Sequence, residues 1–146
     1  MKIILPLSVI IPRKTKADKV FILNLNVYRN THHFTLAAAK IQWAEIVRQV
    51  TVGMVNVDSM PFNFTYTVYP ATNRRFDLAN VCSIIDKFTA DALIEFGIIP
   101  DDSYKIIPEI NYRFGGVDKE NPRCELLINS IIAEHKPEIS FNDLPF

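Results

Sequence analysis

The side chains that could do chemistry are concentrated between residues 73 and 103. Arg74 and Arg75 precede Asp77, Asn80 follows, Asp86, Lys87 and Asp91 come later, and Asp101-Asp102 close the stretch after Pro100. Carboxylates are the oxygen donors that hard divalent ions take, and the two arginines make a local basic patch. Whether the carboxylates can act together depends on what lies between them. Val81, Ile84, Ile85, Phe88, Ala92 and Phe96 recur at helical spacing and give one apolar face. Asn80 is a natural N-cap, and Gly97 sits where a left-handed residue ends a helix. The predicted helix spans roughly 24 Å at ~1.5 Å per residue, so Asp77 and Asp102 start far apart. They converge on one metal only within a dimer, or if the chain after Gly97 folds back along the helix.

Each of these residues also has an ordinary structural role open to it. Asp77 after two arginines suits an ion-paired turn, and Pro100-Asp101-Asp102-Ser103 is good β-turn sequence. Lys87 and Asp91 can form a solvated i,i+4 pair, although in the less favourable order.

The elements around this stretch read as follows. Lys2 to Pro12 predicts a strand, Arg13 to Asp18 a charged turn and Val20 to Leu25 a second strand, together a hairpin. Asn24 to Asn30 reads as a polar turn entering a helix. Thr35 is the expected cap of a helix running to about Val50, with Leu36, Ala39, Trp43, Ile46, Val47 and Val50 on its buried stripe. Trp43, within that stripe, is expected in the core. Thr51 to Val57 and Phe62 to Tyr69 are β-rich, and the second alternates as a half-buried strand does. Tyr104 to Phe114 and Cys124 to Ile128 predict the last two strands. The expected fold class is α+β, a mixed β-sheet with two helices packed on it.

Composition bounds the rest. With 146 residues the chain is expected to form one domain at 1–130 and a tail at 131–146. Hydrophobic residues at 49% and charged residues at 22% exclude a disordered or fibrous chain. Sixteen basic and 16 acidic residues give a formal charge of zero, so nucleic-acid binding has to rest on local patches. Arg74 with Arg75 is one such patch, and Lys14 and Lys16, flanked by Arg13 and Lys19, form another. Cys82 and Cys124 give no disulfide framework and are expected as buried thiols. No secretory leader opens the chain and no apolar run reaches transmembrane length, so a cytoplasmic protein without membrane contact is expected. His32, His33 and His135 make no zinc pattern.

Arg74-Arg75-Phe76-Asp77-Leu78-Ala79-Asn80, Lys87-Phe88-Thr89-Ala90-Asp91-Ala92-Leu93 and Asp101-Asp102 together resemble the RusA-type Holliday-junction resolvases. That family carries a basic run, Asp-x-Asp-Asn, a helix with a lysine and an aspartate before Ala-Leu, and an Asp-Asp pair. The resemblance spans roughly residues 60 to 129. It departs at Ala79, where the family has its second aspartate, and by about one extra helical turn between Asn80 and Lys87. It implies a homodimeric, Mg²⁺- or Mn²⁺-dependent endonuclease of branched DNA, of a kind often encoded by phages or prophages. Asp77 and Asp102 would be metal ligands and catalytic, with Lys87 stabilising charge on the transferring phosphate. Asn80, Asp91 and Asp101 would support them, and Arg74, Arg75, Lys14 and Lys16 would bind DNA. If the extra turn rotates the helix, Asp86 supplies the lost carboxylate, although an ideal helix puts it off the face holding Asn80, Lys87 and Asp91. The alternative is a RusA-like module that has lost catalysis and binds DNA or a host protein. The ending Asp143-Leu144-Pro145-Phe146 resembles the C-terminal tip of bacterial single-stranded DNA-binding proteins, which would dock on host replication or repair proteins. Its other reading is an apolar tail packed on its own domain.

Overall fold

Pro6 lacks an N–H, and it divides the first apolar run between two sheets. The structure, a computed structural model, describes residues 1–54 and 61–131. Strand β1 (Lys2–Leu5) enters the main sheet, whereas β2 (Ser8–Ile11) pairs antiparallel with β3 (Lys19–Ile22) in a separate hairpin. Asn24 then caps a one-turn helix, α1 (Leu25–Arg29), its side chain accepting from the N–H groups of Asn26 and Val27. Helix α2 (His33–Val50) starts two residues before the expected Thr35, because the His32 Nδ1 accepts from the Phe34 N–H. Among the described residues three helices therefore stand where two were expected. Thr51 to Gly53 form a turn after α2, and the rest of the β-rich stretch expected there, apart from Met54, falls outside the described residues.

Strand β4 (Phe62–Tyr69) alternates as its sequence predicts, burying Phe62, Phe64, Tyr66 and Val68. It is central in a four-stranded sheet of order β1-β6-β4-β5, where β5 is Glu109–Phe114 and β6 is Arg123–Ser130. β4 runs antiparallel to β6 and parallel to β5, so the sheet is mixed. Tyr104 to Pro108, expected in the strand, instead carry the chain to it through a turn that buries Ile106 and Ile107.

Helix α3 (Leu78–Glu95) packs against α1 and α2 on one side and β4 and β5 on the other. Flanked on both sides, it buries more than one stripe: Cys82, Ile85, Thr89 and Leu93 as well as Ile84, Phe88 and Ala92. Trp43 is fully buried, and its indole N–H donates to the Thr89 hydroxyl at 3.1 Å, which satisfies both polar groups. Gly97, at φ +69°, ends the helix. The Gly97 N–H reaches the Ile94 carbonyl at 3.0 Å and the Ile98 N–H reaches Leu93 at 2.9 Å, the paired bonds of a Schellman turn. Ile98 and Ile99 are buried immediately afterwards, so the chain does fold back on the domain here. Among the described residues no helix is long and apolar enough to cross a membrane.

Candidate functional site

The two ends of α3 treat their carboxylates differently. At the N-terminus the cap is Asp77, three residues ahead of the expected Asn80. Its Oδ1 accepts from the Ala79 N–H at 3.0 Å, and its carbonyl accepts from the Asn80 N–H at 3.1 Å. Both Asp77 and Asn80 are good cap residues, and the earlier one wins because Leu78 and Val81 then fall on the side packed against the core. Asn80 is thus half-buried inside the first turn. Ala79 is exposed and has no oxygen to offer a metal.

The middle of α3 holds the other group. Asp86 is half-buried, and its Oδ1 accepts from the Tyr66 hydroxyl of β4 at 2.8 Å. Burial raises its pKa, and the like charges of Asp102 and Asp91 raise it further, against the hydrogen bond from Tyr66. The fold-back after Gly97 therefore brings Asp102 within electrostatic reach of Asp86. Tyr66 is fully buried, with its pKa pushed well up by burial and then by Asp86. Tyr112, on the neighbouring strand with its ring 6.1 Å from that of Tyr66, is pushed up to about 12 by burial and Asp86. Cys82, one turn before Asp86, is a buried free thiol likewise raised to about 12 by burial and Asp86. Cys124 is the second buried free thiol, its pKa raised by burial.

Of the residues expected to serve together, Asp102 and Asp91 share this field with Asp86, while Asp77 is engaged at the far N-terminus. Asp101 accepts from the Ser103 N–H at 2.7 Å, and the Ser103 hydroxyl first and this N–H second hold its carboxyl below the usual range, in the turn that carries Asp102. Lys87 is exposed next to Asp86 and makes no ion pair among the described residues. Lys14 and Lys16 are exposed at the tip of the β2–β3 hairpin, where the Arg13 Nε donates to the Ala17 carbonyl at 2.7 Å. Arg74 and Arg75 are exposed just before α3. The tail residues Asp143, Leu144, Pro145 and Phe146 lie outside the described residues. Tyr66 and Tyr112 carried no signal in the sequence beyond strand alternation, because their meeting with Asp86 is purely tertiary.

Among the described residues no group of three or more His, Cys, Asp or Glu is arranged to hold a metal ion. The donor chemistry offers less than that but not nothing. Magnesium is commonly held by one or two carboxylates, with water and substrate phosphate completing its shell. Asp86 has the charge of Asp102 in its field, and a cation near Asp86 would relieve that repulsion. Asp77 already has one oxygen engaged by the Ala79 N–H at the helix start. No protein-family model matches the chain, and no curated protein matches it.

Proposed function

We propose that this chain is a RusA-like, magnesium-dependent endonuclease of branched DNA, working as a homodimer. The observation that supports the reading is the half-buried Asp86, held by the Tyr66 hydroxyl and within the field of Asp102, a carboxylate available to a metal despite the alanine at position 79. When bound, the metal would polarise a scissile phosphate and lower the pKa of an attacking water. The chain's own residues do the rest. Tyr66 fixes the Asp86 carboxylate from the buried side, the exposed Lys87 on the adjoining face of the helix would meet a phosphate oxygen, and Arg74 and Arg75, just before the helix, would anchor the strand. A two-fold dimer suits a two-fold junction.

A specific observation keeps the second reading in play. Ala79 and the lack of a three-donor group among the described residues favour a module that binds branched DNA without cutting it, its tail engaging a host protein. The test is incubation with a synthetic four-way junction in Mg²⁺ and in EDTA, alongside sedimentation. We expect symmetric nicking in Mg²⁺ only, by a species of twice 16.7 kDa. Junction binding with no nicking in either buffer replaces the enzyme by the binding module. A species of 16.7 kDa removes the dimer.

A further inference from the structure

A second site lies along the same helix, and Asp77 takes no part in it. A cavity of about 360 Å³ opens beside the start of α3, lined by Asn73, Arg74, Arg75, Phe76, Leu78 and Phe114. Two phenylalanines and two arginines line one space there, with no carboxylate among the described residues that line it. Neither arginine makes an ion pair among the described residues.

The rings are held in place by the backbone. Phe114 ends β5 on the face that α3 covers, in register with the buried Val68, but it extends past the helix start and stays 58% exposed. Gly115 follows it, and its N–H donates to the Val68 carbonyl at 2.8 Å. A Cβ at Gly115 would lie 2.5 Å from the Tyr69 ring, so only glycine lets the chain leave the strand this close to β4. The Asp118 N–H then donates to the Pro70 carbonyl at 2.8 Å, which ties the loop after Phe114 to the loop before Phe76. Phe76, 38% exposed, meets Phe114 with ring centroids 6.3 Å apart. Both rings remain partly exposed, tilted by 57° to each other, beside arginines that make no ion pair among the described residues.

A purely apolar partner would leave Arg74 and Arg75 unpaired, and a purely anionic one would leave two rings wet. A nucleotide with its base unpaired satisfies both, the base stacking on an aromatic face and the phosphates meeting the guanidinium groups. We propose that this cavity receives one unpaired nucleobase of a DNA strand, stacked on Phe114 with the tilted Phe76 ring against its edge, and with Arg74 and Arg75 on its flanking phosphates. The proposal deepens the nuclease reading and rests on DNA being the ligand. Leu78 and Asp86 are eight residues apart, about 12 Å along the helix, or the length of roughly three to four stacked nucleotides. A base held here would register the strand relative to Asp86.

The experiment uses the full chain in EDTA, so that cleavage plays no part, and compares a fluorescent thymidylate hexamer with an abasic hexamer of equal charge. Wild type should bind the thymidylate about tenfold more tightly, the size of one stacking contact. Phe114→Ala should remove that preference, Phe114→Trp should keep it, and Arg74→Ala with Arg75→Ala should weaken both probes alike. Phe114→Leu, which keeps an apolar side chain of similar size without a ring, gives the same readout should Phe114→Ala fail to fold. Equal binding of both probes by wild type, or a preference that survives Phe114→Ala, overturns the proposal. If wild type prefers bases but never nicks a junction, the cavity stands and the nuclease reading falls. If Phe114→Ala binds both hexamers as wild type does and still nicks, the reverse holds.

Discussion

Asp77 and Asp86 are both aspartates on one helix, nine residues apart, and they serve opposite ends. Asp77 is exposed and satisfied, its carboxylate stabilising α3 by accepting an otherwise unpartnered N–H. Asp86 is half-buried with two further carboxylates in its field, and its charge costs the fold stability. A carboxylate that pays its way structurally needs no ligand to account for it. One that burial and like charge both oppose is the better candidate for a function, since sites that act on substrates are where such conflicts gather. The difference lies in the surroundings: Asp77 meets free N–H groups, whereas Asp86 meets one phenol and two negative charges.

The largest expected effect comes from replacing each carboxylate by its amide. Asp86→Asn or Asp102→Asn should lower Mn²⁺ affinity and junction cleavage by at least ~10- to 100-fold, as loss of a metal-site interaction commonly does. Asp77→Asn should leave both close to wild type. Asp86→Asn should also raise the melting temperature by a few degrees, since the amide oxygen can still accept from Tyr66 and the repulsion is gone. Titration calorimetry with Mn²⁺ beside thermal melts reads both quantities. Metal binding lost in Asp77→Asn and kept in Asp86→Asn would reverse the assignment.

A smaller effect separates capping from ligation at Asp77 itself. Asparagine caps a helix about as well as aspartate, whereas alanine cannot, so Asp77→Ala should cost about 1 kcal/mol and Asp77→Asn far less. Urea melts of the two variants measure this. Equal losses would mean that the charge, not the cap, is what α3 needs at this end.

The same contrast marks how far the sequence could be read. Gly97, the apolar period of α3 and the alternation of β4 were all legible, because each is local: a φ that favours glycine, a 3.6-residue repeat and a 2-residue repeat. The helix start was misplaced by one turn because Asp77 and Asn80 are both good caps, and only packing of Leu78 and Val81 decides between them. The first strand was read as one because Pro6 marks a break without saying that its halves join different sheets. Parallel pairing of β4 with β5 left no local trace. At the candidate site, Asp102 was legible as a turn residue and, through the resemblance, as a ligand, and Asp86 as a stand-in for the lost carboxylate that an ideal helix puts off the expected face. The influence of Asp102 on Asp86 depends on Ile98 and Ile99 folding into the core, and the hold on Asp86 comes from a tyrosine twenty residues before it. Phe76 was legible only as a motif position and Phe114 only as the end of a strand, since the meeting of their rings is tertiary.

The smallest expected effect is also the finest test, and it concerns Ala79. The resemblance to Asp-x-Asp-Asn implies that an aspartate here would complete a metal site with Asp77. The geometry opposes that, because Asp77 is the cap and Ala79 lies in the first helical turn, so their side chains do not project together as i,i+2 side chains of a strand would. Ala79→Asp should therefore change Mg²⁺-dependent cleavage by well under the tenfold that a ligand change brings, at equal junction binding. The added charge near the helix N-terminus should instead stabilise α3 slightly, by about 0.3–1 kcal/mol less the repulsion from Asp77. The double variant with Asp86→Asn sharpens the comparison further. Positions 79 and 86 are seven residues, about 10 Å, apart along the helix, far enough for independent effects to add in free energy. If Ala79→Asp restores cleavage to Asp86→Asn, one ion is shared between the two ends and the separation drawn between them fails. If the double variant is as inert as Asp86→Asn alone, the carboxylates at the start of the helix serve its backbone and the phosphate chemistry belongs to its middle.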